Sequence, residues 1–127
     1  MPDTPLRVTE IEMSVLEALW ANPEPLPVRT IVLAVYGRHE HSLHAAVKSF
    51  LDRLMEKGFV GVDKSEFAHR FTATISREEF VGKQLREIAE SHFQGSVGPL
   101  LLALVDQVKL SRKDRSAIEK IIDNIRD

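Results

Sequence analysis

Residues 43–75 read LHAAVKSFLDRLMEKGFVGVDKSEFAHRFTATI, and the spacing of the apolar residues changes once within this stretch. At first they recur every three or four positions, which predicts a helix over about 43–57. Two short runs rich in β-branched and aromatic residues follow, Phe59–Val62 and Arg70–Ile75, with a polar run between them. These runs predict a two-stranded β-hairpin, which needs helices beneath it because two strands alone are marginally stable.

Two helices are predicted upstream of this stretch. Thr9 and Glu12 have the spacing of a capping box, and the helix that they open ends before the proline-rich segment Asn22–Pro25. After an extended Leu26–Pro27, a second helix is predicted over about 28–36. Three helices followed by a hairpin form a winged helix-turn-helix, so the predicted fold class is mainly α with a small β-hairpin.

Three more helices are predicted beyond the hairpin. A second capping box opens at Ser76, a short apolar helix is expected over about 100–108, and Ser111 caps the last helix. The sequence therefore divides into a winged-helix domain over residues 1–75 and a helical region over residues 76–127.

The helical region has many apolar residues, and the winged domain leaves little surface against which they could pack. Six apolar side chains within residues 100–108 would contribute roughly 9–18 kcal/mol on burial, which makes a solvent-exposed arrangement costly. We expect a second copy of the chain to cover them, although folding back on the winged domain is an alternative. The expected dimerisation residues are Val81, Leu85, Ile88, Leu100, Leu101, Leu104, Val105, Val108, Ile118, Ile121, Ile122 and Ile125.

Composition excludes several classes of protein. The 127 residues contain no cysteine, so disulfides, thiolate nucleophiles and cysteine-based metal sites are excluded. The net charge is −2, so any phosphate binding must come from a local basic patch. No apolar run approaches the roughly 20 residues of a membrane span, and no export signal opens the chain, so we expect a cytoplasmic protein without membrane insertion.

Three segments carry a resemblance to a known family: Thr9–Trp20, Val47–Val60 and Ala68–Phe71. In their order and spacing, and in the helical tail, the chain resembles the BlaI/MecI/CopY-type bacterial repressors, the penicillinase-repressor family. The resemblance implies a homodimer that binds a palindromic DNA operator and represses transcription. It assigns DNA binding to residues 1–75 and dimerisation to residues 76–127, and it implies neither an enzyme nor a cofactor.

The resemblance also implies a mode of release. In this family a membrane metalloprotease sensor often triggers cleavage within the dimerisation region. The corresponding positions are Ala103, Leu104 and Val105, where the family's Asn-Phe bond is absent, so proteolytic release stays open. The paired cysteines of the copper-responsive members are also absent.

In a winged helix-turn-helix, the exposed face of the third helix enters the major groove. Lys48 would then donate to guanine or phosphate, and Ser49 to a base edge or phosphate. Arg53 is expected either to join them or to pair with Glu17 or Glu56, and Arg29 and Arg38 are lesser phosphate candidates. The expected DNA-binding residues are His44, Ala45, Ala46, Lys48, Ser49 and Arg53 on the helix, with Lys64, His69 and Arg70 on the wing.

Two other functions remain open at this point. His39, His41 and His44 are weak candidates for metal ligands, which would make the chain a metal-responsive regulator. No metalloprotease, nucleophile-elbow or phosphate-loop motif accompanies them, so an enzyme is not predicted. The acidic balance of the amino-terminal part and the Ala45-Ala46 pair would also suit a winged-helix module that binds a protein.

Overall fold

The structure, a computed structural model, describes residues 7–125, and the side chains of Ile122 and Ile125 lie outside the described part. The predicted fold class is confirmed, because one small antiparallel sheet accompanies a mainly helical chain. In chain order, the elements described are α1 (Glu10–Trp20), β1 (Leu26–Pro27), α2 (Val28–Tyr36), α3 (His41–Glu56), β2 (Val60–Asp63), β3 (Arg70–Ala73), α4 (Arg77–Phe93), α5 (Val97–Gln107) and α6 (Arg112–Ile125). Across these residues, no helix is both long and apolar enough to cross a membrane.

The sheet has one strand more than the predicted hairpin. Its strand order is β1–β3–β2, with Leu26 opposite Phe71 and Val62 opposite Phe71 on the other side. Pro27 is tolerated because β1 is an edge strand, where a missing N–H need not break the ladder. We define the wing as β2, β3 and the turn between them. The additional strand, β1, pairs with β3 and leads directly into α2, so it joins the wing to the start of α2.

The predicted capping box at the start of α1 is confirmed, and its acid has a second role. Glu12 accepts a hydrogen bond from the Thr9 N–H at 2.9 Å, and the Thr9 hydroxyl accepts one from the Glu12 N–H at 3.2 Å. Glu12 is also buried, and it accepts a hydrogen bond from Lys57 Nζ at 2.9 Å. This ion pair joins the first turn of α1 to the carboxyl end of α3, so it helps to hold α3 in place.

The core of the winged domain forms from the inward faces of its helices. Its fully buried members include Val15, Leu16, Ile31, Val32, Val47, Leu51 and Leu54. Phe80, in the first turn of α4, joins this core: its ring centroid lies 5.3 Å from that of Phe59 and 5.7 Å from that of Trp20.

The chain divides into two compact units, Met1–Gln84 and Leu85–Asp127. The division therefore falls inside α4, nine residues beyond the boundary expected after Ile75. Its physical cause is Phe80, since this buried aromatic residue ties the start of α4 to the winged domain.

Two helices begin earlier than the sequence predicts. The third helix begins at His41 rather than Leu43, because Glu40 is extended and its carbonyl accepts the His44 N–H at 2.9 Å. The fifth begins at Val97 rather than near residue 100, with Pro99 as its third residue. A proline is tolerated there because the first N–H groups of a helix have no intrahelical acceptor.

Candidate nucleic-acid interface

The two sides of α3 differ sharply in burial. Val47 and Leu51 are fully buried, which fixes the rotation of the helix against the rest of the winged domain. The opposite side carries an exposed stripe, which is formed by Ala45, Lys48 and Asp52. Ser49, His44 and Ala46 are half-buried at its borders. The helix therefore presents small and polar side chains to solvent, as close approach to another surface requires.

A groove of about 310 Å³ lies beside this stripe, between the start of α2, α3 and the wing. We call it the basic groove, and it is lined by Pro27, Val28, Arg29, His44, Lys48, Phe67, Ala68, His69 and Phe71. It brings together three predicted DNA-binding residues, His44, Lys48 and His69, with Arg29, which the sequence offers only as a lesser phosphate candidate. No acidic side chain lines this groove among the described residues, so its charge favours an anion.

The wing carries three of the predicted contacts. Lys64 and His69 are exposed, whereas Arg70 is half-buried with its Nε atom 3.5 Å from Glu66 Oε1. Asp63 shapes the turn by accepting the Ser65 N–H at 2.9 Å, and hydrogen bonds from the Ser65 side chain and backbone lower the pKa of Asp63. The hydrogen bond between Asp63 and Ser65 thus stabilises the turn that carries Lys64 and leads towards His69 and Arg70.

Phe67, at the turn of the wing, is a candidate contact that the sequence analysis missed. Its side chain is fully exposed although it also borders the basic groove. In the sequence, Phe67 is one aromatic residue in the turn between two predicted strands. The pattern that predicts strands gives no role to a residue in the turn. Single exposed apolar residues are common, so it is the place of Phe67 at the edge of the basic groove that makes it a candidate contact.

Arg53 pairs with neither of its expected partners. Glu17 accepts instead from Arg77, at 2.7 Å from Nη1 to Oε2, and these hydrogen bonds lower the pKa of Glu17. Arg77 competes successfully because its guanidinium also lies over the Trp20 ring, 4.8 Å from the centroid. Among the described residues, Arg53 thus forms no ion bridge to Glu17 or Glu56, which was one of the two alternatives expected for it. Arg53 is exposed beside the Phe50 ring and remains available to a ligand.

The histidines do not form the metal site considered as an alternative. Among residues 7–125, no three His, Cys, Asp or Glu side chains are grouped so that they could hold a metal ion. His39 and His44 contact each other instead, with 2.9 Å between His39 Nε2 and His44 Nδ1. The metal-responsive alternative, with His39, His41 and His44 as weak ligand candidates, therefore has no grouped set of ligands among the described residues.

Arg38, in the same connector, is also engaged. Its Nε atom donates to Glu40 Oε2 at 2.6 Å, and both side chains are exposed. This local pair neutralises Arg38 and weakens it as a phosphate candidate relative to Arg29.

Comparison with known proteins identifies the family. A family model described as "Penicillinase repressor" matches residues 8–124. The chain belongs to the penicillinase repressor family. Its relatives include proteins named transcriptional regulator BlaI from two Mycobacterium tuberculosis strains, CDC 1551 / Oshkosh and ATCC 25618 / H37Rv. Each is 28% identical over 109 residues, which cover 85% of this chain and 78% of the relative.

A further relative is an uncharacterized 16.5 kDa protein in the ptsI 3′ region of Latilactobacillus sakei, 22% identical over 122 residues. That match covers 96% of this chain and 82% of the relative. The family resemblance expected from the sequence is thus confirmed. Penicillinase repressors are transcriptional regulators and not enzymes, so family membership favours DNA as the ligand of the winged domain.

Proposed function

We propose that the protein is a homodimeric transcriptional repressor that binds a palindromic operator through α3 and the wing of each copy. The observation that carries the proposal is the basic groove, where Arg29, His44, Lys48 and His69 come together from three elements beside the exposed stripe of α3. Phosphate contacts of such residues position a duplex, and base contacts from the helix provide specificity. A repressor acts where its operator lies, so we expect it in the cytoplasm.

The interface has two kinds of contact. Lys48 projects from the exposed face of α3, where a side chain reaches base edges in the major groove, and Ser49 and Ala45 border it. Arg29, Lys64, His69 and Arg70 lie around the groove and the wing, where they contact phosphates. We add Phe67 to this interface as an apolar contact of the wing.

Selection of duplexes from a random library by the full-length protein tests the proposal. We expect the selected sites to have two-fold symmetry, with half-sites about one helical turn apart, because two copies of α3 must enter successive major grooves. The affinity should fall steeply as salt rises. Equal binding of selected and scrambled duplexes at every salt concentration would contradict the proposal, and the absence of duplex binding even at low salt would favour a protein-binding module.

Two substitutions separate base contacts from phosphate contacts. Lys48→Ala should reduce the preference for a selected over a scrambled duplex by about 5- to 100-fold, because a base contact is lost. Arg70→Ala should weaken binding to both duplexes alike and lower the salt slope by about one. Lys83→Ala, on exposed α4 outside α3 and the wing, is the matched control and should change neither quantity. If both test variants affect the two duplexes equally, the assigned roles are wrong.

The homodimer part of the proposal rests on the exposed apolar residues of α4, α5 and α6. None of the residues of α5 is buried, although most of them are apolar. The large hydrophobic residues exposed on these helices and just after α5 include Val81, Leu85, Ile88, Leu101, Leu104, Val105, Val108, Ile118 and Ile121, while Leu100 is half-buried. Contact with the same helices of a second copy would remove this surface from water.

Proteolytic release by a membrane metalloprotease sensor system is a further part of the proposal. Ala103, Leu104 and Val105 lie within α5 and are exposed. In a copy that is separated from its partner, α5 has no buried residue, so local unwinding there would expose its peptide bonds to a protease at low cost. The family's Asn-Phe bond is absent here, so cleavage would need a different bond in this segment.

A further inference from the structure

A chain of polar contacts links the two helices of the helix-turn-helix. Arg29 Nη1 in α2 lies 3.3 Å from His39 Nδ1 in the connector, and His39 Nε2 lies 2.9 Å from His44 Nδ1 in α3. The two imidazole rings meet edge to face, with their centroids 5.1 Å apart. Three residues from three segments of chain thus form one continuous path, which we call the histidine relay.

The positions of the hydrogens in the histidine relay follow from chemistry. A guanidinium is always a donor, so His39 Nδ1 must accept and carries no hydrogen. A neutral imidazole has one N–H, so the hydrogen of His39 is on Nε2 and is donated to His44 Nδ1. The hydrogen of His44 is therefore on its own Nε2. One arginine thus determines the tautomers of two histidines, and the last of them lines the basic groove.

We propose that Arg29 and His39 are positioning residues, which orient His44 so that its Nε2–H donates to an acceptor atom of bound DNA. His44 is one helical turn before Lys48, and both side chains line the basic groove. The inference rests on the proposed function, because it requires a duplex in this groove. The acceptor is a phosphate oxygen or a base-edge atom.

The surroundings of His39 favour the neutral form of its ring, which the histidine relay needs. Desolvation, followed by the charges of Arg29, His44 and His41, lowers the pKa of His39. Lys48 from α3 and His69 from the wing also line the groove beside His44. The nearest acid in the connector, Glu40, is engaged by Arg38.

Nuclear magnetic resonance of the imidazole nitrogens tests the histidine relay in the free full-length protein. At pH 7.5 we expect both His39 and His44 to carry the hydrogen on Nε2. In Arg29→Gln the cation is lost, so the protonation midpoint of His39 should move to higher pH and its tautomers should average. The change of tautomer reports the hydrogen bond from Arg29, since loss of its charge alone would raise the pKa of His39 without changing the tautomer. A wild-type His39 with its hydrogen on Nδ1, or an unchanged midpoint in the variant, overturns the inference.

DNA binding tests the role of the histidine relay with a matched pair of variants. In His39→Gln the amide can accept from Arg29 and donate to His44, so affinity for a selected duplex should stay within about twofold. In His39→Phe the ring shape remains but the hydrogen bonds are lost, so affinity should fall about 3- to 10-fold. His44→Phe should show a similar loss, and the double variant should lose no more than either single variant.

The comparison of duplexes then distinguishes the acceptor. Equal losses on selected and scrambled duplexes indicate a phosphate, and a larger loss on the selected duplex indicates a base edge. If wild-type protein binds but His39→Phe binds equally well, or if the losses of the two single variants add, this inference fails alone. If the wild-type protein binds no duplex, the proposed function fails together with it.

Discussion

Leu104→Glu should convert the protein to a monomer and lower its affinity for a two-fold duplex at least about 100-fold, because simultaneous binding of two half-sites multiplies affinity by that factor or more. In the free chain Leu104 is 51% exposed, so the new carboxylate remains hydrated and the fold of one copy is retained. Against a second copy, the same carboxylate would be buried in an apolar interface without a partner, which is strongly unfavourable.

Light scattering and duplex titration measure the two effects separately. At micromolar concentration the wild-type protein should have twice the mass of one chain, and Leu104→Glu the mass of one. Affinity for a single half-site should be unchanged, since the winged domain is intact. Gln107→Glu adds the same charge to an exposed polar position of α5 and should remain dimeric. A monomeric wild-type protein, or a dimeric Leu104→Glu, would contradict the homodimer.

Local chemistry in the sequence was sufficient for much of the fold. The capping box of Thr9 and Glu12 and the hairpin of β2 and β3 were predicted because their signals lie within a few residues of each other. Gly37 ends α2 with φ of 76°, a backbone conformation that favours glycine. The exposed face of α3 likewise follows from periodicity alone.

Contacts between distant residues were not predictable in this way. Leu26–Pro27 becomes a strand only because β3, more than 40 residues later, pairs with it. Glu17 pairs with Arg77 rather than with Arg53, because folding places Arg77 over Trp20, 57 residues away in sequence. Several residues could pair with the same strand or side chain, and the sequence pattern does not show which of them the fold brings close.

The candidate site shows the same limit. Lys48 was predicted from its place on the helix, but the importance of Arg29 depends on the basic groove, which three elements create together. The place of Phe67 beside the groove depends on the same packing, whereas the contact between His39 and His44 joins residues five positions apart across the start of α3, and periodicity does not predict it. The sequence therefore located the recognition helix, and the structure identified which neighbours surround it.

Among the contacts between distant residues, the ion pair of Glu12 with Lys57 has the largest expected effect on stability. We expect Lys57→Met to lower the free energy of unfolding by about 3–5 kcal/mol, because it leaves a buried carboxylate without its cation. Trp20, the single tryptophan, lies in the winged domain and reports its unfolding by urea through fluorescence. Arg38→Met breaks the exposed pair with Glu40 and is the matched control, with an expected change of at most about 1 kcal/mol.

The ion pair makes the stability depend on pH in a definite direction, which a simple packing defect would not do. Burial raises the pKa of Glu12, but hydrogen bonds from the Thr9 backbone and Lys57 outweigh it, so the pKa lies below its ordinary value of 4.5. In the wild-type protein, the resulting stability is therefore present above that value and is lost as pH falls through the lowered pKa.

Without Lys57, only the Thr9 N–H and the charge of Arg53 oppose burial, so the pKa of Glu12 should rise and the destabilisation by Lys57→Met should shrink as pH falls from 7 to 5. Glu12→Gln combined with Lys57→Met should recover part of the lost stability at pH 7, since no buried charge remains. If the single variant is equally destabilised at both pH values and the double variant is no more stable than it, the lost stability comes from packing and the role assigned to the ion pair is wrong.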